Sequence, residues 1–164
     1  MKLYVMQHGQ ACSKEQNPQR PLTERGSADV VAMGTILQRA GVSCNRVIHS
    51  GKYRAQQTAE LVVQALALDV PLESSDIINP NDDPQAFAWQ SDSWDQDTMV
   101  VGHLPFLAKL VSHLLLGNET ACFVEFTPGT VVCLEKRQTQ GWQLDWMIRP
   151  DLLSQGNWAA SQIP

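Results

Sequence analysis

The sequence lacks several features that would point to particular classes of protein. No run of apolar residues approaches the roughly 20 that a membrane-spanning helix needs. Positive charge is scarce, because 12 lysines and arginines stand against 17 acidic residues and the net charge is −5. This balance disfavours nucleic acids and anionic membranes as partners, since both require a basic face. It does not exclude a local basic pocket for a small anion.

Cysteine is sparse, and its spacing carries no metal signature. The four cysteines, at positions 12, 44, 122 and 133, form no Cys-x-x-Cys pair, which argues against a zinc site built from thiolates. No signal peptide precedes the first apolar run. We therefore expect reduced, mostly buried thiols in a cytoplasmic protein.

The chain does contain what one α/β domain requires. Its 164 residues, 43% of them hydrophobic, are enough to bury a single core. Short apolar runs alternate with amphipathic stretches, and we find no linker, repeat or low-complexity segment. We expect a single domain over residues 1–164, built as a three-layer α/β sandwich. Its central sheet is predicted to be mostly parallel, with antiparallel strands added late.

The predicted elements run strand, helix, strand, helix, helix, strand, helix, and then three strands. The predicted strands cover residues 2–7, 46–50, 98–101, 123–126, 130–135 and 142–148, and the predicted helices cover 24–40, 54–68, 84–91 and 104–116. Residues 69–83 are predicted to form a loop, and residues 150–164 a loose tail. Trp142, Leu144 and Trp146 alternate in the last strand, which predicts one bulky, buried face.

Polar residues follow three of the predicted strands. His8 and Gly9 come after the first, Ser50 and Arg54 after the second, and His103 after the third, while Arg20 lies in the loop after the first. Ligands of open α/β sheets bind outside the carboxyl ends of the strands. A set of cationic and donor groups in an acidic protein suits a phosphoryl dianion. Because neutral imidazole is a competent nucleophile, the set points to phosphoryl transfer through a histidine.

These residues, in this order, resemble the histidine phosphatase superfamily, which has the phosphoglycerate mutase-like fold. The matching stretches are His8-Gly9, Arg20-Pro21-Leu22-Thr23, Ser50 followed by Arg54-Ala55-Gln56-Gln57-Thr58-Ala59, and Gly102-His103-Leu104-Pro105. The short chain is most similar to the small branch of the family, the SixA-like phosphohistidine phosphatases.

The resemblance implies roles for the matching residues. His8 would accept the phosphoryl group, with its other ring nitrogen held by a backbone carbonyl. Arg54 would clamp the phosphoryl oxygens, and His103, as an imidazolium, would donate a hydrogen bond to them. The remaining members of the expected phosphate-binding set are Gln7, Gly9, Arg20 and Ser50. The resemblance implies no metal and no organic cofactor. The implied partner is a phosphorylated protein, with a histidine-containing phosphotransfer domain as one candidate.

Two positions depart from the family pattern. The family has Arg-His-Gly where this chain has Gln7-His8-Gly9. Glutamine can donate a hydrogen bond but neutralises no charge, and losing one transition-state contact typically costs about 10²–10³ in rate. Gly51 stands where the family has proline, and we expect it to loosen the turn that presents Arg54.

Three functions remain open from the sequence. The first is a phosphohistidine phosphatase that acts through His8. The second is a weakened or inactive relative that binds phosphoryl groups or phosphoproteins, because Gln7 replaces an arginine. The third is a broader phosphomonoesterase, which needs a carboxylic acid to protonate its leaving group. Asp82 and Asp83 are the candidates for that acid, although their context is typical of turn and N-cap residues. His49 is expected to be a partly buried strand residue.

Overall fold

The computed structural model describes residues 1–121 and 124–154, which fold around one six-stranded sheet. The strands are β1 Lys2–Gln7, β2 Arg46–His49, β3 Leu72–Ser74, β4 Thr98–Gly102, β5 Val131–Arg137 and β6 Gly141–Ile148. The helices are α1 Glu24–Arg39, α2 Tyr53–Leu66, α3 Pro84–Ser91, α4 Phe106–Leu116 and α5 Pro150–Ser154.

The sheet is mixed, with strand order β3-β2-β4-β1-β5-β6. The first four strands of that order are parallel to one another, and β5 and β6 are antiparallel additions at the other edge. The predicted α/β sandwich with late antiparallel strands is therefore confirmed. The parallel register pairs Gln7 with Gly102 and His49 with Val101, so β1, β2 and β4 end level with one another.

Alternation along the central strands divides the core into two halves. In β1, Tyr4 and Met6 pack with α1 and α2, while Leu3 and Val5 pack with α3 and α4. All four side chains are almost fully buried. This is the pattern of a strand covered by helices on both sides, and it explains why β1 is a continuous apolar run.

The structure corrects three of the sequence predictions for secondary structure. The predicted loop over residues 69–83 contains β3, a three-residue edge strand whose side chains are all exposed. Residues 124–126 form no strand, and position 123 lies outside the described residues. The predicted tail begins with α5, whose first residue, Pro150, is buried, and residues 155–164 lie outside the described part of the chain.

The predicted bulky face of β6 is also wrong. A bulge opposite Cys133 and Leu134 shifts the register of β6. As a result Trp146 packs on the α1/α2 side of the sheet and Trp142 on the α3/α4 side, while Leu144 is 46% exposed. Because side chains alternate along a strand, one extra residue moves each later side chain to the opposite face of the sheet.

The described cysteines are free thiols. Cys44 and Cys133 are buried and Cys12 is half-buried, while Cys122 lies outside the described residues. Burial raises the pKa of Cys44 to about 11 and that of Cys133 to about 12, so both stay protonated at neutral pH. Among the helices of the described residues, none combines the length and the apolarity that a bilayer crossing requires.

Candidate active site

The carboxyl ends of three parallel strands place the predicted site residues side by side. His8 follows β1, Ser50 follows β2 and His103 follows β4. The rings of His8 and His103 have centroids 4.9 Å apart. Ser50 Oγ lies 2.5 Å from Nε2 of His103, and Nε of Arg54, from the first turn of α2, donates to Nε2 of His8 over 3.1 Å. The structure thus brings these four side chains to one spot.

The hydrogen bonds of His8 define which ring nitrogen carries a lone pair. Nδ1 lies 2.7 Å from the carbonyl oxygen of Gly9. A carbonyl only accepts, so the proton of a neutral ring is on Nδ1. Nε2 is then unprotonated, in agreement with its acceptance of the Arg54 donor. The ring therefore presents its lone pair toward Arg54.

Gly9 orients His8 and does not offer a donor to a ligand, contrary to the phosphate-binding role predicted for it. Its N–H already donates to Oγ1 of Thr58 over 3.0 Å, and its carbonyl is engaged by His8. A side chain is excluded here, because a Cβ would lie 2.8 Å from Val30 Cγ2 and 2.9 Å from the carbonyl oxygen of Gly26. Glycine is the residue that permits this close approach.

Thr58 connects the two halves of the site, a role that the sequence analysis missed. Its hydroxyl accepts from Gly9 N–H and donates to the carbonyl of Arg54 over 2.7 Å. The side chain is fully buried. One hydroxyl therefore ties the loop that holds His8 to the helix turn that holds Arg54. The sequence signal for this role is the i, i+4 spacing of Arg54 and Thr58, which places both residues on the same face of α2.

Thr58→Val is expected to lower the free energy of unfolding by about 1–3 kcal/mol, because it leaves the buried Gly9 N–H without an acceptor. The same substitution should also lower the affinity for inorganic phosphate. Thr58→Ser keeps the hydroxyl and should restore most of the affinity. Thr98→Val is the matched control, since Thr98 is equally buried and bonds a backbone carbonyl at the opposite end of β4. Denaturant unfolding and phosphate titration measure both effects. Equal loss of phosphate affinity in the two valine variants would contradict the linking role.

Arg20 is a further cation at the site. Its backbone has a positive φ of 52°, which is uncommon for a residue with a side chain. Its Nε donates to the carbonyl of Cys12 over 3.2 Å, and Gln57 accepts from the N–H of Leu22, so the loop is anchored to α2. The charge of Arg20 contributes to lowering the pKa of Arg54, after burial as the main cause.

Burial keeps His8 neutral at physiological pH. Desolvation lowers its pKa to about 4, with smaller contributions from Arg54 and Arg20, against an opposing effect of the Gly9 hydrogen bond. Because a protonated ring has no lone pair to donate, this shift keeps the nucleophilic form available at neutral pH.

His103 is also neutral in the free site, whereas the resemblance implies an imidazolium. Desolvation, together with smaller contributions from the neighbouring His8, Arg54, Lys52 and Arg20, lowers its pKa to about 3. Its Nδ1 is buried and has no hydrogen-bond partner among the described residues. A buried N–H without a partner at Nδ1 would cost more free energy than a buried lone pair without a partner. The ring proton of His103 therefore sits on Nε2, which donates to the Ser50 hydroxyl. The Ser50 hydroxyl can then donate its own proton in a hydrogen bond to a ligand.

Comparison with known proteins agrees with this arrangement. A family model described as histidine phosphatase superfamily, branch 1, matches residues 3–76. The phosphohistidine phosphatase SixA of Escherichia coli strain K12 is 27% identical over 155 residues, which cover 92% of this chain and 94% of that protein. The chain is therefore similar to the histidine phosphatase superfamily over residues 3–76, and to SixA over most of its length.

Solved structures extend the similarity to the whole fold. The structure of the protein histidine phosphatase SixA complexed with tungstate matches with a TM-score of 0.81 and 26% identity, over 93% of this chain and 99% of that one. The α-ribazole phosphatase of Shigella flexneri shares the fold, with a TM-score of 0.73, 18% identity, and coverage of 92% and 97%. The match to the superfamily model and the similarity to SixA support a phosphatase, that is, an enzyme that hydrolyses a phosphoryl group from its substrate.

Gln7, the first departure from the superfamily pattern, lies beside His8 at the end of β1. Its side chain is 8% exposed, and its Oε1 is buried without a hydrogen-bond partner in the described part of the chain. Its backbone is held by the turn at residues 127–130, through Thr130 and Gly129. A neutral, buried amide therefore stands at the position where the family pattern has an arginine.

The second departure, Gly51, does not loosen its turn as predicted. It has a φ of +71°, a conformation that proline cannot adopt. Its N–H donates to Nδ1 of His49 over 3.1 Å, and proline has no N–H to donate. His49 is 7% exposed and lies in β2, as expected.

The two candidate acids have local structural roles. Asp83 caps α3 by accepting from the N–H of Gln85, and Asp82 accepts from the N–H of Asn79. Of the carboxylates in the described residues, none forms a hydrogen bond or ion pair with His8, Arg54 or His103. The described residues contain no cluster of three or more His, Cys, Asp or Glu side chains that could hold a metal ion.

Proposed function

We propose that this protein removes the phosphoryl group from a phosphohistidine of a partner protein, through a covalent intermediate on His8. The observation that carries the proposal is the state of His8. Its Nδ1–H is fixed by the Gly9 carbonyl, its unprotonated Nε2 accepts from Arg54, and the centroid of the His103 ring lies 4.9 Å from its own. A neutral nucleophile surrounded by donors is what in-line phosphoryl transfer requires.

In the first step, the Nε2 lone pair of His8 attacks phosphorus. The Nε2–P bond forms as the P–N bond to the substrate imidazole breaks, and the imidazole leaves with its electron pair and takes up a proton. Arg54 shifts its donors from Nε2 to the phosphoryl oxygens, while Arg20 adds a second positive charge. The Ser50 hydroxyl, which accepts from His103, donates to the same oxygens.

In the second step, water attacks the phosphorus of phospho-His8. The O–P bond forms and the P–Nε2 bond breaks, so that inorganic phosphate leaves and His8 returns to its neutral form. The proton of the attacking water passes to the phosphate or to solvent. Gly9 holds Nδ1–H throughout, so the ring does not rotate between the two steps.

In the described residues, no carboxylate forms a hydrogen bond or ion pair with His8 or His103, and this favours a phosphoramidate substrate. An alkoxide leaving group needs an acid to protonate it, whereas imidazole is a better leaving group. Asp82 and Asp83, the candidates in the sequence, are engaged in a turn and a helix cap. A phosphorylated histidine in a protein, such as a histidine-containing phosphotransfer domain, is the substrate that fits this site best.

The alternative is a relative that binds phosphoryl groups or phosphoproteins with little or no turnover. The observation that favours it is Gln7, a neutral residue directly before the nucleophile in the sequence, where the family pattern has an arginine. With Arg54 and Arg20 still present, phosphate binding should weaken without being lost.

The substrate proposal is tested by comparing a phosphotransfer domain phosphorylated on histidine with an alkyl phosphate. We expect kcat/KM to be larger for the phosphohistidine protein by about 10²-fold or more, the usual contribution of a general acid that this site lacks. Phosphate release is measured for both substrates at neutral pH. Equal values for the two substrates would support a broad phosphomonoesterase, and phosphate binding with no release from either would support the binding protein.

A further inference from the structure

The turn between β2 and α2 carries two contacts of the proposed site. Ser50, in the turn, lies against Nε2 of His103, and Arg54, in the first turn of α2, donates to Nε2 of His8. Both site histidines therefore depend on the shape of this one turn. A small displacement of the turn would therefore move the Ser50 hydroxyl and the Arg54 guanidinium at the same time.

A hydrogen bond inside the turn fixes its shape. Gly51 lies in the left-handed region, with a φ of +71°, and its N–H donates to Nδ1 of His49 over 3.1 Å. The His49 carbonyl accepts from the N–H of Ser75 over 2.8 Å, which anchors the end of β2 to the chain beyond β3. Because the His49 side chain is buried, water competes little for its bond to Gly51.

The start of α2 lacks the usual side-chain cap. Its N-cap residue, Lys52, makes no side-chain capping hydrogen bond. A serine, threonine, aspartate or asparagine at an N-cap ordinarily fixes the direction in which the chain enters the helix. In this chain, the side chain that holds the entry is His49, three residues before the N-cap.

We propose that His49 is a positioning residue of the phosphoryl site, which sets the turn presenting Ser50 and Arg54 by holding the N–H of Gly51. No hydrogen bond joins His49 to His8 or His103 in the part of the chain that the structure describes. The effect of His49 therefore passes through the backbone of the turn. Only the catalytic readout of this inference rests on the proposed function.

The chemistry of His49 agrees with this role. Its Nδ1 must be unprotonated to accept from Gly51, so its proton sits on Nε2. Burial lowers the pKa of His49, against an opposing effect of Glu60, and the ring is neutral at physiological pH. The acceptor is therefore present under the conditions in which the site would work.

The first test compares two substitutions of His49. His49→Asn places an amide oxygen near the position of Nδ1 and keeps the acceptor, whereas His49→Leu removes it. We expect the leucine variant to lose about tenfold in affinity for tungstate and in kcat/KM for a phosphohistidine protein, mainly through KM. The asparagine variant should stay within about twofold of wild type in both measurements. Amide hydrogen exchange at Gly51 should be faster in the leucine variant alone.

A second pair of variants keeps the inference testable if the leucine variant does not fold. Gly51→Pro removes the donor, and Gly41→Pro is its matched control. Gly41 has a φ of +73°, and a Cβ added to it would have no neighbour within 4 Å. Its N–H donates to the carbonyl of Gln38 at the far end of the sheet. Both prolines should lower the melting temperature, but only the one at position 51 should weaken tungstate binding by about tenfold or more.

The outcomes separate this inference from the proposed function. Loss of tungstate affinity in the leucine variant and its retention in the asparagine variant support the positioning role, even if the wild-type protein releases no phosphate from phosphohistidine. Equal affinities in wild type and both His49 variants overturn it. Equal losses in both His49 variants also overturn it, because the imidazole would then matter for a reason other than the bond to Gly51.

Discussion

Replacing His8 by alanine is expected to lower the turnover of a phosphohistidine protein by about 10⁴-fold or more, because the substitution removes the atom that forms the new bond to phosphorus. The rest of the site should remain intact, since Arg54, Arg20 and the Ser50–His103 pair do not depend on the ring for their backbone positions. Affinity for tungstate should therefore fall much less than turnover. Steady-state phosphate release and tungstate titration measure the two quantities.

His113→Ala is the matched control for this experiment. His113 is a partly buried histidine on α4, away from the sheet edge that carries the site. Its removal should change turnover by less than about twofold, beyond any loss of stability. If the variant without His8 kept the turnover of wild type, the assignment of the nucleophile would be wrong.

Gln7→Arg is expected to raise kcat/KM by about 10²–10³, because a fixed positive charge next to His8 stabilises the phosphoryl oxygens in the transition state. The position is almost fully buried and already holds one unpaired polar atom. A guanidinium in this buried position should lower the melting temperature without a ligand, and tungstate should restore it. Phosphate release and thermal unfolding check the two effects.

Gln7→Met separates charge from volume in the same position. Methionine keeps a similar length but donates no hydrogen bond, so it should lower tungstate affinity below that of wild type. An arginine variant with unchanged kcat/KM would show that a positive charge at position 7 is not needed to stabilise the phosphoryl group in the transition state. The amide of Gln7 would then be sufficient for turnover. In that case the binding-only alternative would lose its main support.

The sheet was predictable where the strands are buried on both faces. β1 and β4 are continuous apolar runs flanked by glycine and polar residues, and such a pattern fits few other structures. The bounds of β1 and α3 agree with the prediction to the residue. Strand β3 carries no such signal, because Leu72, Glu73 and Ser74 are exposed at the edge. They are held to β2 by backbone pairing and by an ion pair between Glu73 and Arg46.

The site was predictable in its members but less so in its chemistry. His8, Ser50, Arg54 and His103 could be grouped because each follows a parallel strand, and such strand ends meet at one edge. The protonation of His103 could not be foreseen, because it depends on burial and on cations that other segments supply. Thr58 was missed because a buried threonine in a helix is ordinarily a packing residue, and its two hydrogen bonds reach a loop and a turn far apart in sequence.

Gly51 shows how a local rule can mislead. Glycine is a flexible residue, and its presence predicted a loose turn. In the structure Gly51 adopts a positive φ and its N–H donates to His49. This hydrogen bond therefore holds the turn, at the position where the family pattern has a proline ring. A single residue type does not indicate flexibility until its hydrogen bonds are known.

The central claim is that the phosphoryl group passes through Nε2 of His8. The most direct measurement is to mix the protein with a phosphohistidine substrate, stop the reaction at high pH within one turnover, and locate the phosphoryl group by mass spectrometry. We predict phosphorylated His8 that forms and decays at the rate of phosphate release and is absent from His8→Ala. Release of phosphate at the same rate with His8 never phosphorylated, or with the group on another residue, would contradict the account.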